Sequence, residues 1–218
     1  MPIGEQADVV EALCEALGVR EAHILAHDLG DTVAQELLAR QVEGAAKVRW
    51  RSCVFLNGGL FPETHQPRLI QRLLASPLGG LVAKLSTART FRKNMQQIFG
   101  AQTQPTEAFL KGSWELLRSG GGRDALPFLI RYMGERRAQR ARWVRPLMEQ
   151  VVPMRLINGA SDPVSGRHAA ARYRELVPKA DVVLLEGIGH YPHVEAPARV
   201  LEALWAFPAW SVDSPRMA

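Results

Sequence analysis

Asp28, Asp162 and His190 are the residues whose types and surroundings suit covalent hydrolysis. Asp28 lies in Ala26-His27-Asp28-Leu29-Gly30, after the short apolar run His23–Ala26 and before the amphipathic segment Thr32–Arg40. Small residues two positions either side of it let the backbone turn sharply and push the central side chain out over the strand end. A carboxylate in that place points to attack on an electrophilic carbon, giving an alkyl ester that water later cleaves. Asp162 ends the stretch Met154–Asp162, and His190 follows Val182–Leu185 through the bracketing Gly187 and Gly189. The chain order is thus nucleophile, acid, histidine. Each residue also has a plainer reading. Asp28 would serve as a helix N-cap, Asp162 before Pro163 is a common turn starter, and a lone loop histidine usually makes one backbone bond.

All three groups follow the C-terminal ends of predicted strands, where open parallel sheets bind their ligands. Strands are expected at His23–His27 and Ser52–Leu56, the first reading as buried, with two more after Val152. Helices are expected at Gln6–Leu17, Arg167–Leu176 and Pro197–Phe207. In the first, Val9, Val10, Leu13 and Leu17 are spaced to bury one face, with Gly18 as C-cap. Val33, Leu37 and Leu38 share a face of the helix after Asp28. Between Phe61 and Gln150 the pattern is helical and rich in breakers, with no convincing strand. The tail after Pro208 is expected to fray.

The 218 residues, 47% of them apolar, suit one globular α/β core rather than disorder. No run approaches the length of a membrane span, and no signal peptide is visible. Cys14 and Cys53 lie in apolar contexts and read as buried free thiols, which suits the cytoplasm. The charge of +5 gathers partly in Arg131, Arg136, Arg137, Arg140, Arg142 and Arg145, near which only Glu135 is opposed. Without interleaved aromatics or a nucleic-acid motif, that stripe reads as a solvated face. His27, His65, His168 and His193 show no metal-like grouping, so neither metal nor cofactor is expected. Asp31 reads as a first-turn helix acid, and Ser119–Gly122 as a link between helices.

His27-Asp28-Leu29-Gly30-Asp31 followed by Val33-Ala34-Gln35-Glu36-Leu37-Leu38 resembles the mesoderm-specific transcript-like proteins, in the haloalkane dehalogenase and epoxide hydrolase branch of the α/β-hydrolases. Leu56–His65, Arg142-Trp143-Val144, Asp162-Pro163-Val164 and Gly189-His190-Tyr191-Pro192 extend the likeness, which runs from about Glu5 to Phe207. It implies an α/β fold: the C-terminal part of a mostly parallel sheet of about four strands, with an inserted helical cap. Residues 1–60 and 151–210 would form the core, 61–150 the cap and 211–218 a tail. Such a fold normally begins with further strands and a His-Gly loop that supplies half of the oxyanion hole. The chain is therefore expected to be N-terminally truncated, either as a fragment or as a short natural variant.

The resemblance implies that Asp28 is nucleophile, His190 general base and Asp162 its orienting acid, with the Leu29 N–H as an oxyanion donor. The expected substrate is a small organic haloalkane or epoxide. Dehalogenases of this branch usually carry Trp where Leu29 stands. Trp114 and Trp143 are candidate substitutes that also suit packing of the cap. Epoxide hydrolases use two cap tyrosines, and this block holds only Tyr132. Asn57 could touch a leaving group or cap the turn before Gly58. A serine esterase is disfavoured, because no Gly-x-Ser-x-Gly occurs. The alternative is a catalytically impaired fragment or a non-catalytic interaction protein on the same fold. Loss of the earlier strands would leave one sheet edge open to self-association. Neither nucleic acid nor a membrane span is expected.

Overall fold

The computed structural model describes residues 1–211. Helix α1 (Ile3–Ala16) precedes strand β1 (Glu21–His27), helix α2 (Leu29–Val42) and strand β2 (Arg49–Leu56). Seven helices follow with no strand among them: α3 (Leu69–Leu74), α4 (Gly79–Lys84), α5 (Ala88–Gln96), α6 (Glu107–Arg118), α7 (Gly122–Leu129), α8 (Tyr132–Ala138) and α9 (Arg140–Glu149). The chain then returns to the sheet with β3 (Met154–Gly159), α10 (Arg167–Leu176) and β4 (Val182–Leu185). It closes with α11 (Pro192–Glu195), α12 (Pro197–Trp205) and α13 (Pro208–Ser211). The four strands form one parallel sheet in the order β1-β2-β3-β4. This is the parallel sheet of about four strands expected from the sequence.

Alternation along β2 builds the layers, since successive side chains of a strand point to opposite faces. Cys53 and Phe55 join Val33, Leu37 and Leu38 of α2 and Ala170 and Tyr173 of α10 on one face. Val54 and Leu56 join Ile157, Leu185 and the α12 residues Val200, Ala203 and Leu204 on the other. Each fully buried Leu or Phe contributes roughly 1.5–3 kcal/mol. Helix α2 is buried throughout Asp31–Ala39, wedged between the sheet and α9.

Helix α1 departs from expectation. Val9, Leu13 and Leu17 are 57%, 59% and 69% exposed, and the stripe it buries is Ile3, Ala7 and Glu11. The reason is electrostatic. Arg40 of α2 reaches Asp8 and Glu11 at 2.7 and 2.8 Å, Glu36 at 2.8 Å and the Gly4 carbonyl at 3.0 Å. A buried glutamate must be paired, and meeting Arg40 turns the apolar face of α1 outward. The left-handed Gly18 ends the helix one residue after the cap position.

Three further expectations are corrected. Strand β1 ends the sheet, as the expected open edge required, but is less buried than its apolar run suggested, with Leu25 47% exposed. The arginine block is a solvated face only in part, since Arg131, Arg137 and Arg145 are exposed and the other three are not. Arg136 is 3% exposed, Arg140 pairs with Glu63, and Arg142 pairs with Glu36 and Glu43 on the far side of the fold. The tail does not fray at Pro208, because α13 continues the fold and the Trp210 indole donates to Ser52 at 2.8 Å. Positions 212–218 of the expected tail lie outside the described residues. Among the described residues no helix is long and apolar enough to cross a membrane.

Candidate active site

Asp28 stands between the last residue of β1 and the first of α2, at φ 52° and ψ −110°. A left-handed φ is strained for a residue with a side chain and persists only where its surroundings enforce it. Here the Asp28 N–H donates to the Leu56 carbonyl at 3.2 Å, tying the turn to β2. The side chain makes no capping bond to α2, although Asp28 occupies the N-cap position. It keeps 45% of its surface and points to His190, whose Nε2 lies 3.7 Å from Asp28 Oδ2. The plainer reading of Asp28 as a helix cap is therefore not the arrangement observed.

On its other side, His190 Nδ1 donates to Asp162 Oδ2 at 2.8 Å. Asp162 is 3% exposed and fully engaged. Its Oδ1 accepts from the Val164 N–H, while Oδ2 also accepts from the Ser165 hydroxyl at 2.8 Å and from Asn57 Nδ2 at 2.9 Å. These bonds fix the carboxylate, and the carboxylate in turn fixes the imidazole with its Nε2 toward Asp28. Asp162 starts a turn, as its Asp-Pro sequence suggested, and orients His190 as well.

Electrostatics separate the groups. Burial works against the His190 imidazolium, yet the flanking Asp162 and Asp28 push its pKa up to about 10. The protein crowded around Asp28 would raise its carboxyl, but His190, Arg136 and His27 hold it well below the usual carboxylate range. Burial likewise opposes ionisation of Asp162, and His190, the Val164 amide and Asn57 overcome it. His27 Nε2 donates to the His190 carbonyl at 2.8 Å, and burial brings its pKa down to about 4.

The His190 loop is held from outside the sheet. Glu195 Oε2 accepts from the N–H groups of Gly189 and Gly100 at 2.9 and 2.7 Å and from Thr103, while Oε1 accepts from Tyr191. The His190 N–H donates to the Ile98 carbonyl at 2.8 Å. A Cβ on Gly159 would come within 1.9 Å of the Gly189 carbonyl oxygen, so only glycine lets β3 approach this loop.

Of the other anticipated pocket residues, Leu29 opens α2, where the first N–H groups of a helix lack intrahelical partners. Tyr132 is buried beneath the Arg136 guanidinium, 4.5 Å from its ring centre. Of the remaining three, Asn57 supports Asp162 and the two tryptophans are engaged elsewhere. Asn57 is wholly buried, bonded to Asp162 and to both the carbonyl and N–H of Gly159. The Trp143 indole donates to Glu36 at 2.7 Å, behind α2, and Trp114 packs on Phe91 between α5 and α6. Neither tryptophan is oriented by such contacts toward Asp28. Sequence reading missed Ser165, Glu195 and Arg136. Ser165 and Glu195 act through folded geometry, and Arg136 was masked by its basic neighbours. Among the described residues no His, Cys, Asp and Glu group suits a metal.

A profile of the alpha/beta hydrolase family matches residues 2–203. The mesoderm-specific transcript protein of Mus musculus is 36% identical over 212 residues, covering 94% of this chain and 63% of that protein. The chain thus spans a little under two thirds of the length of that relative. A loop variant of haloalkane dehalogenase DbeA from Bradyrhizobium elkanii superposes with a TM-score of 0.72 at 19% identity, covering 93% of this chain and 71% of that one. The 2-hydroxy-6-oxo-6-phenylhexa-2,4-dienoate hydrolase of a Rhodococcus species gives 0.72 at 15% identity, covering 93% and 69%. At such identities the structures speak for the fold, and the profile speaks for the sequence. Sheet, elbow and profile agree: the chain belongs to the alpha/beta hydrolase family.

Proposed function

We propose that this protein is a hydrolase that acts through an alkyl ester on Asp28, on a small electrophile of the haloalkane or epoxide type. One observation carries the reading: a half-exposed carboxylate on a strained turn, 3.7 Å from an imidazole that a buried carboxylate holds in place. An Asp28 oxygen attacks the substrate carbon, and the carbon–halogen or carbon–oxygen bond breaks with its electron pair leaving on the departing atom. Esterification removes one of the two negative charges that keep His190 protonated. The imidazole then sheds its proton to solvent or to an opened epoxide oxygen and becomes a base. Water attacks the ester carbonyl carbon and gives a proton to Nε2, and collapse releases the alcohol and restores Asp28. The Leu29 N–H faces the oxyanion of that step, and the helices between Phe61 and Gln150 serve as the cap.

The test is a His190→Gln variant exposed to 1-bromopropane and to styrene oxide. Peptide mass should show an ester accumulating on Asp28, and Asp28→Asn should abolish it. If the folded wild type and His190→Gln both stay unmodified at Asp28 with every electrophile tried, the assignment fails.

A further inference from the structure

The 43 residues from Thr64 to Thr106 hold six Lys or Arg and no Asp or Glu. The rest of the chain carries 21 of the one kind and 22 of the other, so the whole positive excess comes from this stretch. Among the described residues, Arg92 is the one member of the six that meets a carboxylate, that of Glu107 at the start of α6. Arg72, Lys84, Arg89 and Lys93 stand exposed.

The same stretch carries apolar side chains on its outside. A helix on a protein surface ordinarily buries its large apolar residues and shows its polar ones to water. Helix α4 does the reverse. It buries Gly79 and Ala83, while Leu78, Leu81 and Leu85, spaced three and four apart on one face, each expose more than half of their surface. The packing explains the inversion. A Cβ on Gly79 would come within 2.1 Å of the Leu74 carbonyl oxygen, so the turn from α3 closes on the small side of α4 and its leucines face out. Helix α3 turns Leu74 inward and leaves Leu69 and Leu73, four residues apart, exposed. Helix α7 packs on α4, where Arg123 Nη1 donates to the Lys84 carbonyl at 3.4 Å. It adds an exposed Phe128, with the Arg131 guanidinium 5.0 Å from the ring centre.

Clustered exposed apolar residues mark a place where something docks, and the charge selects what. A second copy meeting this face with its own would set the same cations against each other. Nucleic acid would satisfy the cations and leave the leucines in water. An anionic bilayer offers both halves: phosphates for Arg and Lys, and the edge of the acyl layer for leucine. Long basic side chains suit such a boundary, since their stems lie along apolar surface while the charge stays in the headgroups.

We infer that α3, α4 and α7 form a docking face for an anionic phospholipid bilayer. Leu69, Leu73, Leu78, Leu81 and Leu85 seat in the acyl boundary, and the surrounding Arg and Lys lie at the phosphates. The contact needs no helix to cross the bilayer, and it does not depend on the chemistry at Asp28.

The test uses the full chain and sucrose-loaded vesicles, made of phosphatidylcholine alone or of an equimolar mixture with phosphatidylglycerol. Wild type should sediment with the mixed vesicles and far less with the neutral ones, and added salt should weaken the binding. Leu81→Ser with Leu85→Ser, and separately Arg72→Glu with Lys84→Glu, should each lower the partition coefficient about tenfold or more. Leu13→Ser, on the exposed face of α1, should leave it unchanged. All of these side chains are exposed, so the variants should melt like wild type. No sedimentation with mixed vesicles overturns the proposal, as does binding that both pairs leave unchanged or that Leu13→Ser abolishes. Loss with the charge pair alone leaves only electrostatic adsorption, and loss with the leucine pair alone leaves no preference for anionic lipid; either overturns the combined face. If wild type stays off both vesicles and the leucine pair instead dissolves a self-associated species in light scattering, the face belongs to a second copy rather than to lipid.

Discussion

Asp28 and Asp31 are the same residue type three positions apart, yet the fold shifts their proton affinities in opposite directions. Asp28 looks onto an imidazolium, which lowers its pKa, whereas burial and that charged neighbour raise the Asp31 carboxyl well above its ordinary range. Pairs of titratable groups pushed apart in this way are a mark of sites that do acid–base work. A carboxyl that binds its proton more tightly when folded lowers stability as pH rises above its unfolded value near 3.8. Asp31→Asn cannot ionise, so its stability relative to wild type should rise between pH 4 and pH 7, as urea midpoints at the two pH values would show. His190 has the same sign. Its pKa rises from 6.5 to about 10 on folding, so its contribution is complete below pH 6.5 and is lost as pH climbs through 10. Wild type should lose stability between pH 7 and pH 10, and His190→Gln should flatten that slope in thermal melts.

At the scale of elements, the proposed catalytic arrangement depends on loops whose anchors lie outside the sheet. Glu195 gathers the N–H groups of Gly100, Gly189 and Tyr191 and so joins the His190 loop to the segment between α5 and α6. Glu195→Ala would strand those part-buried donors at roughly 1–3 kcal/mol each where water cannot replace the carboxylate. Ester hydrolysis should slow about tenfold or more, with the alkylation step, which needs only Asp28, changed less; single-turnover kinetics separates the two. Gly159→Ala would force a Cβ into the Gly189 carbonyl and should destabilise the fold by about 1–3 kcal/mol in denaturant unfolding.

The whole molecule has one side unlike the others. Among the described residues β1 ends the sheet, and with α1 and α2 it borders an apolar groove of about 580 Å³ lined by Val9, Val10, Cys14, Ile24, Leu25 and Leu37 among others. It lies on the outer side of His27, and the exposed Leu13 and Leu17 continue α1's apolar face. An unpaired strand edge beside exposed apolar surface favours association. The chain is expected to self-associate in a concentration-dependent way by light scattering, and Leu25→Lys should shift it toward monomer without changing its fold. A wild-type monomer at every concentration would remove this expectation.

Local sequence determined the strands, the two long helices after β3, and the turn that carries Asp28. Short-range steric and periodic rules suffice there: small residues for a tight turn, alternation for strands, a threefold-to-fourfold spacing for helices. The order of Asp28, Asp162 and His190 at strand ends was legible for the same reason, because each follows its strand directly. What only the tertiary structure decided is every contact made across the chain. The apolar spacing of α1 pointed to the wrong buried face, since Arg40, distant in sequence, pairs with Glu11 and turns the helix. Arg136 looked like one member of a solvated stripe, but α8 carries it inward to Thr32, 104 residues away in the chain. Asn57, Trp143 and Trp114 are pocket candidates by sequence, with a turn cap as the plainer reading of Asn57 and packing of the cap as that of the tryptophans. Asn57 instead supports Asp162 from behind, while Glu36 and Phe91 engage the two tryptophans elsewhere. Periodicity tells which side of an element is apolar. Which buried charge meets which partner depends on distances that no local pattern contains.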